Sequence, residues 1–199
     1  MQGRTVVFDI ETGGLEPRHP IIQLAAVALD EQGEELDAIE RKVRFDLRRA
    51  DARALDINAY DEETWDQEAV EGQQAADDFA RFCSTHATLE LVSRQGKPYR
   101  CARIAGHNIT AFDVPRVRAF MERHGVWWPA CWWYPLDTWQ GALWHFARGH
   151  GKAPQDFKLP TLAAHFGLAT DGAHDALADV RMAAGILRAL MQVGGAALS

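Results

Sequence analysis

The sequence predicts an α/β fold, a mixed sheet covered by helices on both faces. Two observations predict it. Three apolar runs near the N-terminus are joined by short turns, which makes an antiparallel meander, and the later segments alternate strand and helix patterns. Thr5 to Ile10 is the first strand, and Glu11 to Pro20 is a loop punctuated by Gly13, Gly14, Pro17 and Pro20. Ile21 to Leu29 is a second apolar strand, turned by Glu31-Gln32-Gly33, and Leu36 to Phe45 reads as the third. Arg48 to Gln67 is polar and loop-like, with room for short helical turns.

Ala75, Ala76, Phe79, Ala80, Phe82 and Cys83 recur at helical spacing, so Gln73 to Thr85 reads as an amphipathic helix. Leu89 to Ser93 and Tyr99 to Ala105 flank Arg94-Gln95-Gly96-Lys97-Pro98, an extra hairpin around 89–105 whose second strand runs into Gly106. Phe112 to His124 is a helix, with Pro115 in its first turn and Gly125 just past its end. Helices follow at Thr138 to Arg148, Leu159 to His165 and Asp175 to Met191. Residues 1–193 read as a single domain, and Gly194 to Ser199 as a disordered tail.

Composition narrows the class. The chain has 199 residues, 47% of them hydrophobic, enough for a sizeable core in one domain. No run approaches a membrane span, and the N-terminus has no secretory pattern. Cys83, Cys101 and Cys131 form no C-x-x-C pair, which fits a reducing cytoplasm better than a disulfide scaffold or a zinc site. Net charge is −7, the wrong sign for gripping long duplexes by phosphate neutralisation. An enzyme that acts on a strand end holds only a few nucleotides, so nucleic acid remains open as a substrate. Of the two basic segments, Arg41 to Arg44 reads as a solvated face, whereas Arg148 to Lys158 could assist binding.

Three short patterns carry the chemistry. Asp9 and Glu11 end the first strand, and residues two apart in a strand share a face. Two such carboxylates repel unless a cation lies between them, and hard oxygen ligands suit magnesium or manganese. Asp113 lies in the first turn of a helix, where free N–H groups favour an acid, so helix capping alone would account for it. His174 and Asp175 open the last helix, with Asp179 one turn further on.

Taken together and in this order, these residues resemble the DEDDh exonucleases. The superfamily includes the proofreading subunit of bacterial DNA polymerase III, ribonuclease T and oligoribonuclease. Its first motif, D-x-E-T-x-G, is similar to Asp9-Ile10-Glu11-Thr12-Gly13-Gly14; its second, H-N then F-D, to His107-Asn108 with Phe112-Asp113. The third, H-x-A-x-x-D, is met by His174, Ala176 and Asp179. Motif one has Gly13 where many relatives carry threonine, and motif two places three residues between Asn108 and Phe112 rather than the commoner two.

The resemblance implies a ribonuclease H-like mixed five-stranded sheet, three antiparallel strands then parallel ones. It implies a 3′-to-5′ exonuclease that releases nucleoside 5′-monophosphates, on single-stranded DNA ends in preference to RNA. Two Mg²⁺ or Mn²⁺ ions are implied as cofactors, Asp9 bridging both, Glu11 and Asp179 completing one site and Asp113 holding the other. His174 is implied as the general base, Thr12 and Gly13 as backbone contacts to the terminal nucleotide, Leu15 as a wedge against its base, and Asn108 as part of the strand path. The rival expectation is a catalytically silent module of the same fold, bound to a polymerase or larger assembly; a homodimer is the other protein partner to consider. Silent versions lose carboxylates or the histidine, and this chain keeps all five. The aromatic stretch Trp127 to Tyr134 reads first as core or interface packing and second as a platform for unpaired bases.

Overall fold

Strand β1 (Thr5–Thr12) is the organising element of the computed structural model, which describes residues 3–170 and 175–193. It pairs antiparallel with β2 (Ile21–Leu29), which pairs antiparallel with β3 (Glu35–Lys42). On its other side β1 pairs parallel with β6 (Arg103–Gly106), and β6 with the two-residue β7 (Leu136–Asp137). The five-stranded order is therefore β3-β2-β1-β6-β7, the mixed, ribonuclease H-like sheet expected.

Alternation along β1 sorts its side chains between two cores. Val6, Phe8 and Ile10 pack under α3 (Gly72–Thr85) and α4 (Asp113–Arg123). Val7 packs on the opposite face against α5 (Thr138–Ala147), α6 (Leu159–His165) and α7 (Ala176–Val193). By the period of two, Asp9 and Glu11 continue the Val7 face, towards α7. That helix turns Ala176, Val180, Ala183 and Leu187 inward, an i, i+4, i+7, i+11 stripe of small and branched residues. Two further helices, α1 (Ala52–Ile57) and α2 (Glu62–Glu68), lie in the stretch that reads as polar loop. Trp65 anchors them: its Nε1 donates to the Ile22 carbonyl at 3.3 Å, and its ring packs on Tyr60.

The hairpin differs from the expectation in one respect. β4 (Leu89–Val92) and β5 (Pro98–Cys101) form a separate two-stranded sheet, and the chain breaks at Ala102 before entering the main sheet as β6. The break has a cause outside the local sequence. Ala102 N–H donates to Pro129 O and its carbonyl accepts from Cys131 N–H, both at 2.8 Å, which pulls this residue towards the aromatic segment. That segment divides: Trp128 is buried against Phe8 and Phe79, whereas Trp127 and Tyr134 are exposed. All three cysteines are buried, and burial pushes the Cys83 thiol up to about 12, so they serve as packing. No helix among the described residues is long and apolar enough to cross a membrane.

Gly106, at the end of β6, leaves no room for a side chain against β1. A Cβ there would stand 2.7 Å from the Phe8 carbonyl oxygen and closer still to the Ile109 side chain. Gly106→Ala should therefore destabilise the domain by about 2 kcal/mol, as overpacking commonly does. The thermal midpoint is expected to fall by roughly 4–8 °C for a chain of this size, read by differential scanning calorimetry.

Candidate active site

The register of the parallel strands brings the functional residues to one edge. Val7 pairs with Ala105, and Ala105 with Leu136, so the C-terminal ends of β1, β6 and β7 finish side by side. At this edge Asp9, Glu11 and Asp179 each offer a carboxylate oxygen, and these atoms lie within 4.8 Å of one another. Asp179 comes from the first turn of α7, whose start is capped by Asp175: its Oδ1 accepts the Ala178 N–H at 3.0 Å. Asp113, buried at the first turn of α4, approaches from the other side of β1 and accepts the Ile10 N–H at 3.2 Å. The four acids, 170 residues apart at their extremes, thus meet at one strand end. His174 lies outside the described residues, as do 194–199.

Electrostatics identify what this cluster lacks. Burial, then the charges of Asp113, Glu11 and Asp179, hold the Asp9 carboxyl well above its usual range. Burial, then Asp179, Asp113 and Asp175, push Glu11 up to about 8. Burial pushes Asp113 up to about 7, although the Ile10 N–H, its own backbone N–H and the Arg116 guanidinium pull the other way. A half-buried set of hard oxygen donors that resists ionisation for want of positive charge fits a divalent cation. Asp9, Glu11 and Asp179 thus form a donor set suited to a divalent metal ion.

A groove of about 410 Å³ opens beside Glu11, lined among others by Thr12, Gly14, Leu15, Ile57, Asn58 and Phe112. Leu15 stands 82% exposed on its rim, a position consistent with a wedge. Gly13 is not part of this lining: its N–H donates to Pro20 O and its carbonyl accepts from Asp51 N–H, so its backbone is engaged within the protein. Asn108 faces a different groove, on the far side of the strand ends.

Three residues that the sequence alone does not single out hold this edge together. Asn58 donates to the Thr12 carbonyl at 3.0 Å, tying α1 to the end of β1. Arg116 donates to the carbonyls of Leu15 and of Phe112, and its guanidinium lies 3.6 Å from the Phe112 ring centre, so one side chain secures both walls of the groove. Asp137 accepts the backbone N–H groups of Asn108, Thr110 and Trp139 at 2.9, 3.1 and 3.0 Å. It pins the loop in which Asn108 adopts φ 57°, and that loop carries the extra residue of motif two. Only the Asp137-Thr138 pair before a helical pattern, an N-cap signature, was available as a signal.

The chain matches the exonuclease family model designated RNase T over residues 6–187. Its structure is similar to Escherichia coli exonuclease I in complex with a dA16 oligonucleotide, with TM-score 0.76 and 18% identity, over 96% of this chain and 41% of that one. It is similar to the zinc-bound exonuclease I–ssDNA complex from E. coli, with TM-score 0.75 and 20% identity, over 100% and 42%. It is also similar to the moderately thermophilic exonuclease I of Methylocaldum szegediense, with TM-score 0.76 and 19% identity, over 98% and 42%. The chain thus spans about two-fifths of the length of these proteins. No curated protein sequence matches it.

The raised carboxyls set the pH dependence of the metal-free protein. Glu11 ionises near 4.5 when unfolded and near 8 when folded, so the folded state holds the extra proton between these values. Stability therefore falls as pH rises across that window and is lowest above it. Glu11→Gln should remove about 2 kcal/mol of this penalty and raise the metal-free thermal midpoint at high pH by roughly 4–8 °C. The difference should close at acid pH, and Mg²⁺ should raise the midpoint of the parent more than that of the variant.

Proposed function

The chain belongs to the RNase T exonuclease family, and we propose that it is a DEDDh-type 3′-to-5′ exonuclease that hydrolyses the 3′ ends of single-stranded DNA to nucleoside 5′-monophosphates. The observation that carries this reading is the Asp9, Glu11 and Asp179 trio at the end of β1, inside a family match that spans all of the motifs. Residues 1–193 act as one exonuclease domain. DNA is preferred to RNA as substrate because the similar exonuclease I structures hold DNA oligonucleotides.

Asp9, Glu11, Asp113 and Asp179 would hold two Mg²⁺ or Mn²⁺ ions. When bound, such a pair supplies Lewis-acid polarisation of the scissile phosphate and acidifies the attacking water. The protein does the rest. The carboxylates ionise on binding, so their raised proton affinity is exchanged for cation affinity. His174, which directly precedes Asp175 in the sequence, accepts the proton of the attacking water on an imidazole nitrogen, the task of a general base. The Leu15 groove takes the terminal nucleoside, with Thr12 and Phe112 on its walls and Leu15 against the base.

The test uses end-labelled single-stranded DNA, single-stranded RNA and a mismatched duplex, each with Mg²⁺ and with EDTA. Stepwise shortening of DNA from the 3′ end, abolished by EDTA and by Asp9→Ala, is expected. His174→Ala should lower kcat by about 10²–10⁴-fold with KM little changed, the usual size of a general-base contribution. Activity in Asp9→Ala equal to the parent would sink the assignment. A second expectation concerns the groove: Arg116→Met should raise KM for DNA about tenfold or more while kcat falls less, and Arg116→Lys should recover part of the loss, because a lysine can reach only one of the two carbonyls.

A further inference from the structure

Two basic segments punctuate this acidic chain, and the structure treats them oppositely. Arg41, Lys42 and Arg44 are each committed to an ion pair, with Asp78, Glu68 and Glu71. Among the described residues, Arg148, Lys152 and Lys158 form no ion pair and all three are exposed. Asp156 Oδ1 accepts the Lys158 backbone N–H at 3.0 Å. The Lys158 side chain acts on Asp156 only through its charge, without an ion-pair contact, and stays open to solvent.

Lys158 borders a groove of about 450 Å³ formed with His107, Asn108, Trp139, Phe157 and Leu159. The floor is built rather than incidental. The His107 ring lies 3.0 Å from Thr138 Oγ1 and also bonds to the Phe157 backbone, so it locks the loop after β6 to the start of α5 and to the segment before α6. Asp137, whose charge acts on His107, accepts three backbone N–H groups. Two partly buried aromatic rings, an exposed lysine and a loop with an exposed amide side chain therefore line one groove.

Position relates the groove to the carboxylates. β1, β6 and β7 are neighbours in one sheet, and the register sets His107 and Thr138 level with Asp9. Strands lie about 4.8 Å apart, so β7 ends roughly 10 Å from Asp9, a distance that stacked nucleotides cover in about three steps. The Leu15 groove lies on the opposite side of the same carboxylates. A strand whose terminal nucleoside enters the Leu15 groove leads its next nucleotides towards Trp139 and Lys158.

We propose that the His107, Asn108, Trp139, Phe157 and Lys158 groove is a binding subsite for the single-stranded DNA immediately upstream of the scissile phosphate. Trp139 and Phe157 offer faces to an unpaired base, and Lys158 takes a phosphate. The inference rests on the nuclease reading of the carboxylate cluster, since that reading supplies the strand. Stacking on aromatic residues is tolerant of base identity, so the subsite holds any sequence.

Equilibrium binding of a fluorescent oligodeoxythymidine to the full chain, measured in EDTA over a range of salt, tests it. Trp139→Ala should weaken binding about tenfold, within the range of one lost stacking contact. Lys158→Gln should weaken it less and lower the slope of log affinity against log salt by about 0.7, one phosphate contact on a single strand. Lys158→Arg should restore the slope, and Lys97→Gln on the β4–β5 hairpin should match the parent. Trp139→Ala and Lys158→Gln proteins that bind with the affinity and salt slope of the parent overturn the subsite, even if the parent degrades DNA. Loss of affinity and slope in these variants supports it, even if the parent cleaves nothing; that last result would count against the nuclease reading alone.

Discussion

Mutual repulsion among Asp9, Glu11, Asp113 and Asp179 is the constraint around which this structure is arranged. Like charges at such spacing, half removed from water, oppose folding, so the surrounding structure has to hold them in place. It does so with apolar force. β1 is the central strand, buried on both faces, and α7 is held to it by a stripe of alanine, valine and leucine side chains. The hydrophobic effect that assembles the two cores therefore also assembles the acids. A protein that keeps destabilising charge at the end of its central strand does so where function requires it.

Around that cluster the work is done by polar ties between loops. Arg116 secures Leu15 and Phe112, Asn58 secures the end of β1, and Asp137 secures the loop from Asn108 to Thr110. Each uses a charged or amide side chain to satisfy backbone groups that irregular structure leaves without ladder partners. The result is a grooved edge with fixed walls on both sides of the carboxylates. The acidic net charge is compatible with a nucleic-acid substrate because the charges are sorted in space: Arg41, Lys42 and Arg44 are paired with carboxylates, whereas Lys158 stands exposed at the groove beside His107.

Elements with strong local signals were legible in the sequence. β2 and α6 have the bounds expected from their residues, and β1 differs only by running two residues further, to Thr12. Where pairing partners decide, the reading fell short. Tyr99 to Ala105 looks like one strand because all of it is compatible with extended structure, yet Ala102 pairs with the Pro129–Cys131 backbone and divides it. β7 has only two residues and no apolar run to betray it; it exists because β6 offers a free edge. The helices α1 and α2 hide in polar sequence, since their stability comes from Trp65 and Tyr60 packing against β2 rather than from their own pattern.

The same division holds for the site. The identities of the four acids, their order and their places on strand and helix ends were readable from residues alone, because carboxylate chemistry and the periods of two and 3.6 are local properties. The distances between the acids, the roles of Arg116, Asn58 and Asp137, the engagement of the Gly13 backbone and the separation of Leu15 from Asn108 into different grooves were decided by tertiary structure. Each depends on which loops come to lie side by side at the sheet edge, and that follows from strand order and register, which no single segment encodes.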